Sequence, residues 1–160
     1  MTQPSAAYGV HSEVGKLRKV LVHRPDLSLR RLTPTNREEL LFDDVLWVKK
    51  ARQEHDAFVD VLRDRGATVL EVVQLLTEVV ADEQSREWVL DRRLGVGGVG
   101  LGMIGEMRAW LEAMPSGELA ERLIGGIARA ELPFAPRGIF GASLEPQDFV
   151  LPPLPNQLFT

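Results

Sequence analysis

"KLRKVLVHRP", residues 16–25, decides how the first half of the chain is read. It opens basic and polar, runs into Val20, Leu21 and Val22, and is closed by Pro25. Proline has no N–H to give to a ladder, so it marks the end of a strand. Working outward, "LTPTNREEL" at 32–40 puts Thr35 and Glu38 at capping-box spacing, which predicts a short helical turn. A longer helix is predicted from Val45. Val48, Ala51, His55, Phe58 and Leu62 step by threes and fours and so share one face. Gly66 supplies the stop, and "ATVLEV" at 67–72 reads as a second strand. Strand, turn, helix and strand in this order predict an α/β unit built around a sheet.

The periodicity changes after Val73. "VQLLTEVV", "DEQSREWVLDRR", "GMIGEMRAWLEAM" and "SGELAERLIGGIARAEL" read as successive short amphipathic helices, so 75–132 is predicted mostly helical. Asp82 and Ser116 are the predicted caps of the second and last, and Leu119, Leu123 and Ile127 share a face. The proline- and glycine-rich stretch 133–148 reads as a loop. "FVLPPLPNQLFT" at 149–160 then reads as a return to the sheet, with Phe149, Leu151, Leu154 and Phe159 expected to be exposed.

The composition, 44% hydrophobic and 26% charged over 160 residues, is that of a globular domain. A net charge of −4 with scattered basic residues gives no reason to expect nucleic acid or an anionic membrane as partner. No apolar run approaches the ~20 residues of a membrane span. The N-terminus "MTQPSAAYGVHSE" has neither a basic n-region nor an apolar h-region, so a cytoplasmic location is expected. The chain has no cysteine, which removes disulfides, thiolate metal sites and a cysteine nucleophile from its 160 residues.

Chemistry-bearing motifs are sparse. "GVGGVG" at 95–100 matches the dinucleotide fingerprint, but that motif needs a strand before it and an acid about 20 positions on. Here "REWVLDRR" precedes it and reads as helix, so a hinge between helices is the better reading. His11, His23 and His55 have no metal-ligand spacing, and His55 reads as a core or boundary residue. Asp43 and Asp44 are adjacent on a helix-start segment, where the dipole favours acids, so a structural role is assigned to them. No nucleophile, base and orienting group assemble.

Five stretches taken together go further. "GVHSEVGKLRKVLVHRP" (9–25), "RLTPTNREELLFDDVLWV" (31–48), "EHDAFVDVLRDRG" (54–66), "ERLIGGI" (121–127) and "LPPLPNQLFT" (151–160) resemble, in this order and spacing, segments of bacterial arginine deiminases. The resemblance implies an α/β fold: the first module of a five-fold pseudo-symmetric propeller with an inserted small helical domain. On that basis 1–74 is the first module, 75–148 the helical insertion with its connecting loop, and 149–160 the return to the propeller. It also implies hydrolysis of L-arginine to citrulline and ammonia through a covalent cysteine intermediate, with no organic cofactor and no metal. In that family the last motif runs on into an Arg-Asp pair, so the chain is expected to be an N-terminal part, from a truncated gene or a cut sequence. What carries over by residue is Leu41, Asn156 and Phe159. Leu41 and Asn156 would place the amino-acid end of arginine, and Phe159 would pack on its aliphatic stem. L-arginine is the implied partner, and a homo-oligomer of the complete enzyme is left open. The alternative is a catalytically dead remnant that acts only as an interaction module.

Overall fold

The computed structural model describes residues 14–38, 47–95, 102–136 and 143–154, together with 9, 12, 45 and 99. The first strand, β1 (Lys19–Val22), pairs in parallel with β2 (Thr68–Glu71), Val20 lying opposite Val69 and Leu21 opposite Leu70. Between them come α1 (Leu27–Arg30) and α2 (Val48–Asp64). The α/β character expected from the sequence is therefore present, in small, open sheets of two strands each.

The end of α2 follows from glycine geometry. Gly66 has φ +79°, its N–H donates to Arg63 O at 2.8 Å, and Ala67 N–H reaches Leu62 O at 3.0 Å. These two bonds satisfy carbonyls that the helix end would otherwise orphan. Of the predicted stripe of α2, Val48, Ala51, His55 and Leu62 do face inward, and only Phe58 is misplaced. Val59 is buried at 3% exposure whereas Phe58 is 58% exposed, so the inner face runs through Val48, Arg52, His55, Val59 and Leu62. Arg52 belongs there because its guanidinium is spent inward, donating from Nε to Pro25 O at 2.8 Å.

The predicted cap at Thr35 and Glu38 also moves. Thr33 and Asn36 make the reciprocal bonds instead, Thr33 N–H to Asn36 Oδ1 at 2.7 Å and Asn36 N–H to Thr33 Oγ1 at 3.2 Å. Both pairs have the same spacing; Thr33 precedes Pro34, which suits the first position of a turn.

Past β2 the chain is helical: α3 (Val72–Ala81), α4 (Glu83–Arg93), α5 (Ile104–Glu112) and α6 (Ser116–Gly125). Asp82 caps α4 as expected, accepting from Ser85 N–H at 2.8 Å. Ser116 does not cap α6. It is the first helical residue, and its Oγ accepts from Arg86, which also donates to Val80 O, Glu112 O and Met114 O. One guanidinium thus closes the carbonyl ends of two helices. The segment ahead of the glycine run is the helix α4, not the strand a dinucleotide fingerprint requires; Gly95 and Val99 are the described residues of that run.

The helix α6 ends before Ile127. Gly126 has φ +77° and ψ −178°, a region open only to glycine, and the chain turns there into β3 (Ile127–Ala128). β3 pairs antiparallel with β4 (Phe149–Leu151), so the apolar return does form a strand, with β3 rather than the β1–β2 sheet as its partner. Leu151, expected to be exposed, is at 1%, and Val150 beside it is at 0%. The reason is packing: they close one core with Leu90, Met107, Leu111, Leu119, Leu123 and Ile127.

The glycines separate two costs. A Cβ on Gly66 would meet nothing within 4 Å, whereas one on Gly126 would lie 2.6 Å from Pro153 N and 2.7 Å from Leu151 O. Gly66→Ala should cost about 1 kcal/mol, the left-handed penalty alone. Gly126→Ala should cost about 3 kcal/mol or more, because backbone must move. Urea unfolding of the two variants checks the order; equal losses would contradict it.

Candidate functional site

Leu41, Asn156 and Phe159, with Asp43, Asp44 and His11, lie outside the described residues. The structure does define the two arms that lead to them. One arm is the turn 31–38, three residues short of Leu41. The other is β4 and its extension to Leu154, two residues short of Asn156.

Arg31 joins the arms. From the first, its carbonyl accepts the Asn36 side-chain amide at 2.9 Å. Its guanidinium, only 12% exposed, donates to Gly125 O at 2.8 Å and to both carboxylate oxygens of Glu131 at 2.6 and 2.7 Å. It also lies 5.8 Å from the centre of the Phe149 ring on the second arm. Burial lowers the Arg31 pKa from its usual value and Glu131 opposes that, so a buried charge here depends on its partner. Glu131 is in turn fixed by Arg122 at 3.1 Å and by the Ala128 N–H at 2.7 Å.

The second arm is held from the helical side. Arg93 donates to Pro152 O, and Leu154 N–H reaches Ile124 O at 2.9 Å. Gly125 lets α6 approach α1 closely, since a Cβ there would sit 2.7 Å from Leu27 Cβ.

A cavity of about 450 Å³ opens beside this junction, at the carboxyl ends of β1 and β2 and against α1, α2, α3 and α6. Open α/β sheets offer ligands this end of their strands. His23 follows β1, and Glu71 ends β2. His55 and Asp56 come from α2, and Asp56 forms a fork with Arg24, 2.7 Å to Nε and 2.6 Å to a terminal nitrogen. The hydrogen bonds from Arg24 hold the Asp56 carboxyl well below its ordinary range, at about 2. Burial, with His55 nearby, pushes His23 below the usual histidine range against the pull of Asp26. Of these groups the sequence singled out only His23 and His55, and it read His55 as a core or boundary residue. Residues 23, 28, 55, 71 and 121 come from different elements, and no local spacing links them. Among the described residues no cluster of three or more His, Asp or Glu is arranged to hold a metal, and no helix is long and apolar enough to cross a membrane.

A parallel strand–helix–strand unit joined to a body of short helices is the architecture of an α/β protein whose helices follow its first two strands. The sequence model of the arginine deiminase family, described as "Arginine deiminase", matches residues 38–160. The chain belongs to that family, whose members act on arginine.

Asp56 generates a pH prediction. Its folded pKa is depressed, so its contribution to stability is fully present above pH 3.8 and is lost as pH falls toward about 2. The effect is small because the pair is half exposed and screened by salt. At low ionic strength Asp56→Asn should flatten that limb of the urea-midpoint curve; identical slopes for variant and parent would rule the pairing out.

Proposed function

We propose that the chain supplies one wall of an arginine-binding pocket in a deiminase that converts L-arginine to L-citrulline and ammonia. The observation that carries this is the family match over 38–160, which includes the positions of Leu41, Asn156 and Phe159. Leu41 and Asn156 place the amino-acid end of the substrate, and Phe159 covers its aliphatic stem. Arg31 supports the reading by tying both approaches to that wall into one unit.

In this reading 1–74 is the first module of a five-fold α/β propeller, 75–148 is the helical insertion and 149–160 leads back to the propeller. β4 is the seam, since its strand is anchored in the helical core. Deimination requires a nucleophile on the guanidinium carbon, a proton shuttle and carboxylates that hold the cation. The family route uses a thiolate: it adds to that carbon, ammonia leaves, and water then releases citrulline and regenerates the thiol. None of the 160 residues is a cysteine, so the thiolate has to come from outside them. No organic cofactor or metal enters the reaction, and the setting is cytoplasmic.

The purified 160-residue chain should release no citrulline from arginine above background. The same sequence continued through a family-type catalytic part should release it. In that longer protein Asn156→Ala should raise KM by about tenfold, the loss of one charge-assisted hydrogen bond, without lowering the unfolding midpoint. Steady citrulline release by the 160-residue chain, in a preparation free of other deiminases, would overturn this account.

A further inference from the structure

The cavity beside His55 carries groups to which the proposed function assigns no role. Its volume, about 450 Å³, is within the range of small-molecule sites. Ser28, on its wall, is 3% exposed, and its Oγ has no hydrogen-bond partner. The His55 ring nitrogens are likewise buried without a hydrogen bond, Nδ1 standing 3.6 Å from Asp56 Oδ1. Folded proteins leave few buried polar atoms unpaired, because each costs its desolvation. With Nδ1 turned to Asp56, Ser28 Oγ and His55 Nε2 remain as two unmet hydrogen-bonding groups on the wall of one cavity.

Charge selects the ligand class. Of the carboxylates around the cavity, Asp26 is met by Arg30 and Arg52, Asp56 by Arg24 and Asp60 by Arg63. Among the described residues Glu71 accepts only the backbone N–H of Arg24, at 3.3 Å, and Glu121 has no partner. Both arginines of the lining, Arg24 and Arg63, are already committed to acids. Among the described residues an anion would find two uncommitted carboxylates there and no uncommitted arginine. Leu27, Val59, Val73 and Ile124 provide an apolar floor between them.

We propose that this cavity is a binding site for a small amphiphilic organic cation, an alkylguanidinium or alkylammonium of about amino-acid size. The alkyl part lies on Leu27, Val59, Val73 and Ile124. The cationic head faces Glu71 and Glu121, and Ser28 and His55 complete its hydrogen bonds. Every residue invoked at this site is a described one, and binding there does not depend on turnover.

The test is calorimetry and ¹⁵N NMR on the 160-residue chain at neutral pH. n-Butylguanidinium is the probe, and N-butylurea is its uncharged isostere. Butylguanidinium should bind saturably, with shifts centred on Ser28, His55 and Glu121, and butylurea should bind at least about tenfold more weakly, the worth of a charge-assisted pair. Glu71→Gln with Glu121→Gln should abolish that preference while the thermal midpoint stays put, since neither carboxylate is held by an ion pair. Glu87→Gln, on an outer face of α4, should change nothing. Absence of saturable binding by the folded parent, equal affinity for the two probes, or a preference that survives the double substitution would each overturn the proposal.

Discussion

The contact between Arg31 and Glu131 spans 100 positions of sequence, and it ties the turn after α1 to the segment after β3. Arginine suits this place because its planar fork can serve several acceptors at once. Here it serves a helix-end carbonyl, a carboxylate and an aromatic face. A part-buried ion pair contributes little net stability once desolvation is counted, but removing one partner is costly because it leaves the other charge uncompensated. Such a contact selects one arrangement of the chain. The turn 31–38, the end of α6 and the β3–β4 pair hold their relation because Arg31 bonds to, or stacks on, a group from each.

Close approach makes the contact reachable. Gly125 and Gly126 let α6 lie against Leu27 and then turn sharply enough for β3 to meet β4. The core that results is unevenly distributed. The helices and β4 share one apolar cluster, whereas the β1–β2 sheet leaves Leu21 58% exposed and its neighbour α2 leaves Phe58 outward. Parallel sheets ordinarily have both faces covered. Two strands with an apolar outer face fit the proposal that this unit is one module of a larger ring.

Much of the local structure could be read from residue type. Gly66 as a helix stop, Asp82 as a cap and the change of period after Val73 each rest on chemistry within a few residues. The misreadings share a cause. On α2 one predicted inner residue, Phe58, turns out, and Val59 and Arg52, which donates to Pro25 O, turn in. Ile127 keeps helical spacing with Leu119 and Leu123, yet Gly126 breaks the helix first, so its burial was foreseen and its strand was not. Leu151 is buried by a partner strand more than 20 residues away, which no window of sequence contains. The candidate site divides in the same way. Leu41, Asn156 and Phe159 came from motif resemblance, whereas Arg31, Ser28 and Glu121 acquire meaning only when distant elements are brought together.

The central claim is that Arg31 holds the approaches to Leu41 and Asn156 in one fixed relation. Because the chain has no native cysteine, two introduced cysteines can be spin-labelled without interference. Labels at Glu38→Cys and Pro152→Cys report the separation of the arms, and labels at Glu87→Cys and Ala113→Cys report the helical body. Pulsed electron paramagnetic resonance should give a narrow distance distribution between the arms. Arg31→Ala should broaden it by about twofold or more while the helical-body pair stays unchanged, as local release of one element allows. A distribution between the arms that is already broad in the parent, or that Arg31→Ala leaves unaltered, would contradict the account.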